Sequence, residues 1–100
     1  MSTLHIVSTS PFDSNALLSA LKTASQDDAI LLIQNGVYAA IEAPHMSVMM
    51  ALAPSGLRMY ALAEDVDARA LHGLTQHITK IGYSDFVTLV CEHHNSVSWN

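Results

Sequence analysis

The sequence predicts a single-domain α/β protein built on an open, mostly parallel sheet flanked by helices. Three observations point there. Short apolar runs of strand length alternate with helix-like stretches from Leu4–Val7 through to Val97–Trp99, the order expected of an open α/β sheet. The run Ala29-Ile30-Leu31-Leu32-Ile33 is apolar throughout, as in a strand covered on both faces. The length of 100 residues suits one compact domain over 1–100, and no repeat, low-complexity tract or linker divides it.

Leu4-His5-Ile6-Val7 reads as the first strand, because the loop-forming Ser8-Thr9-Ser10-Pro11 follows it. Asp13 or Ser14 then offers an N-cap oxygen to a helix whose Leu17, Leu18 and Leu21 share a face. Thr23 to Asp28 is a polar turn leading into the apolar strand Ala29–Ile33. Gln34-Asn35-Gly36 stops that strand, since Asn-Gly accepts positive φ. A β-hairpin into Val37–Ile41 is one outcome, and the Ala39-Ala40 pair favours a short helix instead.

Residues 42 to 50 are ambiguous, with Pro44 read as a break. Leu57 to Leu62 alternates as a third strand. Glu64-Asp65-Val66-Asp67 looks like an acidic helix start, favourable at the positive end of the dipole, closing near Gly73. Ile78 to Ile81 is a short fourth strand. Ser84 or Asp85 is expected to cap a helix carrying Phe86, Val87, Leu89 and Val90, and Val97-Ser98-Trp99 adds an edge strand.

Composition narrows the function classes. Half of the residues are hydrophobic and 13% are charged, an apolar surplus for so small a domain that a partner subunit would cover. With a formal charge of −5 and only Lys22, Arg58, Arg69 and Lys80 as permanent cations, direct nucleic-acid binding is not expected. Apolar runs of five residues are far short of the roughly 20 that a membrane-spanning helix needs. One cysteine, no export signal and no internal disulfide favour the cytoplasm.

Constellations for chemistry are sparse. His5, His45, His72, His77, His93 and His94 invite a metal reading, but His93–His94 and Cys91–His93 lack the i, i+3 or i, i+4 spacing that converges on one ion. The cluster His45-Met46-Ser47-Val48-Met49-Met50 could suit Cu(I), although flexible thioethers more simply fill a core or an interface. Cys91 sits in an apolar stretch near the end of its helix, so a buried, inert thiol is expected. No cofactor or metal is expected. Tyr38, Met46, Met49 and Met50 are the candidate interface residues, because they concentrate apolar area between core elements. Asp65 and Arg69 are expected to be structural, pairing across their own turn.

Three collinear segments resemble the TusB/DsrH family of the DsrE-like superfamily. They are Leu4-His5-Ile6-Val7 with Ser10-Pro11-Phe12; Ala29 to Ala40 with its Gly36-Val37 and paired alanines; and Tyr60 to Asp65, Ala68-Arg69 and Tyr83-Ser84-Asp85-Phe86-Val87-x-Leu89, ending at Trp99. The resemblance implies a DsrE-like fold and membership of a heterohexamer with TusC-like and TusD-like subunits. In that relay a partner's cysteine carries persulfide sulfur toward 2-thiolation of the wobble uridine of tRNA, and the resemblance implies that this chain serves as a non-catalytic structural or regulatory subunit. Related DsrEFH complexes serve dissimilatory sulfur oxidation, which is one alternative. A sulfur carrier using Cys91 is another, and a homo-oligomer of the isolated chain is a third. Two departures stand out. The family's Arg-Gly is Arg69-Ala70 here, which argues against a tight backbone turn. Gly82 replaces the usual Asp before the helical Tyr83, so that the cap is lost or passes to Ser84.

Overall fold

A computed structural model describes residues 2–100, apart from the side chain of His45. Five strands form the sheet: β1 (Thr3–Val7), β2 (Ala29–Leu32), β3 (Arg58–Leu62), β4 (Thr79–Ile81) and β5 (Asn95–Trp99). They lie in the order β4-β3-β2-β1-β5, and every pairing is parallel. The chain therefore steps outward from β1 to β4 and then crosses back to place β5 on the far side of β1.

That reversal distributes the helices unevenly. Helix α1 (Ala16–Thr23), a 3-10 helix (Gln34–Ala40), α2 (Pro44–Met50) and α3 (Ala63–Ala68) contribute to the larger core. It joins Leu17, Leu21, Val37, Met46 and Val66 to the Val7, Ile30, Leu32, Met59 and Ala61 side of the sheet. On the opposite face α4 (Tyr83–Glu92) buries Leu89 against Leu4, Ala29, Leu31 and Ile81. Ile30, Leu31 and Leu32 are fully buried, as an apolar strand between two layers should be. Each such side chain contributes about 1.5–3 kcal/mol relative to exposure.

Local chemistry explains most boundaries and corrects several expectations. Pro44 opens α2 rather than breaking the chain, because a first-turn residue needs no N–H partner and its fixed φ suits a helix. Asn35 and Gly36 lie within the 3-10 helix, which forms in place of the hairpin alternative. A Cβ at Gly36 would overlap the backbone carbonyl of Val7, so glycine lets this helix sit against the end of β1. At the start of α1 the N-cap position falls on Asn15, without a side-chain bond. Ser14 Oγ, one residue earlier, accepts from the Ala16 N–H at 3.2 Å. Leu18 is only half-buried, while Leu17 and Leu21 face the core.

Neither Ser84 nor Asp85 occupies the cap position of α4, which belongs to Gly82. Asp85 lies three residues further on, and its carboxylate accepts the Gly82 N–H at 3.3 Å, one half of a capping box. The turn after Arg69 does form: Ala70 takes φ 51° and Gly73 φ 72°. Ala70 therefore occupies a left-handed conformation that glycine would adopt without its Cβ penalty.

Candidate functional site

The carboxyl ends of parallel strands are where open α/β sheets usually place their chemistry. Here a polar clamp fills part of that edge. Gln34, at φ 50°, leaves β2 and donates its N–H to Asp65 Oδ2 at 2.7 Å. Arg69 donates from Nε to Asn35 Oδ1 at 3.0 Å and from Nη1 to the Asp65 carbonyl at 3.1 Å. It also lies 3.6 Å from the Asp65 carboxylate, one helical turn away. Asp65 and Arg69 thus pair as the sequence suggests and also hold the start of the 3-10 helix. Four contacts between these residues and the protein itself suit a structural clamp.

A second constellation, not anticipated from the residues alone, is buried. His5 is 3% exposed and Asp28 6%. His5 Nε2 lies 2.9 Å from Asp28 Oδ2, and Trp99 Nε1 lies 3.0 Å from His5 Nδ1. An indole N–H can only donate, so Nδ1 accepts and Nε2 carries the proton donated to Asp28. Burial alone would raise the Asp28 carboxyl pKa. Hydrogen bonds from the Ser25 N–H, from His5 and from the Thr3 N–H outweigh it and hold the carboxyl below its ordinary value. Although His–Asp pairs serve catalysis elsewhere, both ring nitrogens here are occupied by protein partners and the pair is buried. The only sequence signals for this group were the opening Leu4-His5 and the late Trp99, read as family markers without a shared role.

Helix α2 and its surroundings enclose a recess of about 380 Å³. Met46, Met50, Met59, Ile41 and Leu57 line it, with Thr75 and His77 at its polar side. Met46 is a core residue, 4% exposed. Met49 and Met50 are half-buried and pack on that core, and Tyr38 is half-buried on the 3-10 helix. Val48 and Leu52, at 73% and 51%, are the large exposed apolar residues of this region. The structure thus separates the methionine cluster into one core member and a half-covered rim.

Cys91 corrects the sequence expectation, for it is exposed. Only Leu89 of α4 reaches the core proper, and Cys91 follows it by two residues on a helix of 3.6 per turn, which turns it away from the sheet. It stands at the carboxyl end of α4, beside Glu92, whereas helix-activated cysteines sit at amino ends. His93 is buried and its Nδ1 lies 2.7 Å from the Leu89 carbonyl. Among the described residues, no three His, Cys, Asp or Glu side chains converge as a metal site. No helix among them is long and apolar enough to cross a membrane.

Comparison with known proteins matches the family described as DsrH like protein over residues 9–96. Protein TusB of Enterobacter sp. (strain 638) is 37% identical over 97 residues, spanning 96% of this chain and 99% of its own. Protein TusB of Salmonella enteritidis PT4 (strain P125109) is 40% identical over 91 residues, 90% of each chain. Among solved structures, Tm0979 from Thermotoga maritima is similar with a TM-score of 0.67 and 27% identity, covering 90% of this chain and 92% of that one. The ychN protein from E. coli has a TM-score of 0.72 at 14% identity, over 98% and 99% of the two chains, a likeness of fold alone.

Proposed function

Because this chain belongs to the DsrH-like protein family, with the DsrE-like fold, we propose that it is a non-catalytic structural or regulatory subunit of a TusBCD-type sulfur-relay complex. The complex would supply sulfur for 2-thiolation of the tRNA wobble uridine. The observation that carries this reading is the end-to-end likeness to proteins named TusB, 99% of whose length is matched in the Enterobacter case. The position of Cys91 supports the non-catalytic part, since the carboxyl end of a helix is the wrong end to activate a thiol.

In this reading TusC-like and TusD-like partners form a heterohexamer with the chain, in the cytoplasm, and a partner's cysteine carries the persulfide. The contact surface is α2 and the turn after it, where Met49 and Met50 are half-buried on the core and Val48 and Leu52 are exposed, together with half-buried Tyr38 of the 3-10 helix. Apolar side chains gathered at the centre of a patch are what protein interfaces bury.

Coexpression with the TusC-like and TusD-like neighbours, followed by size-exclusion chromatography with light scattering, tests the assembly. A stable particle containing all three chains is expected, and persistent absence of this chain would sink the proposal. Val48→Glu should remove the chain from the particle while leaving its own unfolding midpoint nearly unchanged.

The exposure of Cys91 favours one second reading, in which this chain itself carries sulfur. A reconstituted relay containing Cys91→Ala separates the two. Unchanged tRNA thiolation supports the structural subunit, and loss of thiolation supports the carrier.

A further inference from the structure

The two edges of the sheet are built differently. The β4 edge is three residues long, and its central Lys80 is paired with Asp67 at 2.7 Å, a short charged edge of the kind that resists further pairing. The β5 edge runs for five residues, Asn95-Ser96-Val97-Ser98-Trp99, with no charge and no proline.

Its backbone polarity follows from two hydrogen bonds. Asn95 donates its N–H to the Ser2 carbonyl at 3.2 Å, and the Trp99 carbonyl accepts from the Ser8 N–H at 3.5 Å. Alternation along an extended strand therefore turns Asn95, Val97 and Trp99 toward β1, in agreement with the His5↔Val97 register. The N–H and C=O groups of Ser96 and Ser98 consequently point out of the sheet, away from β1.

We propose that this edge pairs with the same edge of a second copy of the chain, antiparallel about a two-fold axis at Val97. The segment Ser96-Val97-Ser98 is palindromic, so the axis brings like to like. Ser96 faces Ser98 of the second copy and Ser98 faces its Ser96, each pair exchanging both of its backbone hydrogen bonds. Val97 faces Val97 of the second copy as a non-hydrogen-bonded pair, with Cα atoms about 4.5 Å apart. Confined to the residues of β5, this pairing uses all four outward groups of Ser96 and Ser98. It also places the valines, 41% exposed in one chain, in cross-strand contact. No like charges meet within the strand. A parallel pairing of two β5 strands would not close on itself, whereas the two-fold does.

The test uses the full chain in a Cys91→Ser background, so that an introduced thiol is the only one. Val97→Cys should form a disulfide-linked dimer under mild oxidation, since a Cα separation of about 4.5 Å is within disulfide range. Sedimentation equilibrium of the chain with native Val97 should show a concentration-dependent dimer. Ser96→Pro removes an outward N–H that the fold itself does not use, and should weaken the dimer about tenfold or more. Val97→Lys, which sets two ammonium groups against each other, should weaken it as well, and it stands in if the proline variant does not fold. A chain that stays monomeric at every concentration, and whose Val97→Cys variant forms no disulfide, overturns the proposal. So does a dimer indifferent to both variants. In the coexpressed complex, a Val97→Cys thiol that links only to a different subunit would also overturn it, while leaving the sulfur-relay reading intact.

Discussion

Trp99 and His5, 94 residues apart in sequence, are joined by a 3.0 Å hydrogen bond from the indole Nε1–H to the imidazole Nδ1. His5 passes the connection on to Asp28 through Nε2. One polar chain thus ties together β5, β1 and the residue that precedes β2, and it does so where water is largely excluded. Removal of any member leaves a buried group without its partner, which costs more than the bond itself contributes.

Trp99→Phe keeps one aromatic ring, deletes the donor and gives up part of the packing on the core. It should destabilise the fold by about 1–3 kcal/mol, read as a lower urea midpoint with an unchanged m-value. An unchanged midpoint would mean that the bond is not maintained in solution.

Asp28 carries the pH dependence. Its carboxyl is held below the unfolded value of about 3.9, so the folded state binds fewer protons than the unfolded state across that interval. The stabilisation is complete above the unfolded value and is lost as pH falls through the folded one. Asp28→Asn should cost about 1.5–3 kcal/mol at pH 7, and the difference from the parent should shrink as the pH is lowered below about 4. Urea titrations of both proteins at pH 7, 5 and 3 check the sign. A penalty that grows toward acid would contradict the assignment.

Ala70 sits at φ 51°, a conformation that costs an L-residue about 1–2 kcal/mol. Ala70→Gly relieves that cost but adds freedom to the unfolded chain, returning about 0.4–1 kcal/mol. The net expectation is a gain of about 0.5–1 kcal/mol, visible as a rise of a few degrees in Tm. A decrease in Tm would indicate that the turn relaxes out of the left-handed region.

The exposure of Cys91 has a direct chemical readout. Native protein should be alkylated by iodoacetamide at a rate within about tenfold of the denatured chain, as for an accessible, unactivated thiol. Much slower reaction would return Cys91 to the interior. Much faster reaction would mark an activated thiol and strengthen the carrier reading.

The inner strands were legible from local sequence because Leu4–Val7, Ala29–Ile33 and Leu57–Leu62 are short apolar-rich runs, and Ala29–Ile33 announced its burial on both faces by lacking polar residues. The edge strands β4 and β5 are mostly polar and gave a weaker signal. The methionine cluster and Cys91 were not legible in the same way. Composition reports that Met46 and Met49 are both apolar, but not that one enters the core while the other stays at the rim. That division depends on how α2 is rotated against β3. Cys91 has apolar neighbours because α4 carries Tyr83, Val87 and Val90 on its exposed side, so local hydrophobicity misreported its burial.

By itself the sequence determined the α/β class, the order of its strands, the absence of a strong basic surface and the likeness to one family, since these depend on composition, periodicity and collinear motifs. Helix α2 over Pro44–Met50 was not among them. The tertiary structure decided which distant residues meet. His5, Asp28 and Trp99 became one buried chain only when β5 returned to the far side of β1 and β2 lay on the other. Asp65 and Arg69 gained their grip on Gln34 and Asn35 only when β3 paired with β2. Such relationships follow from strand order and register, which are set by the packing of whole elements and are not encoded in any local window of residues.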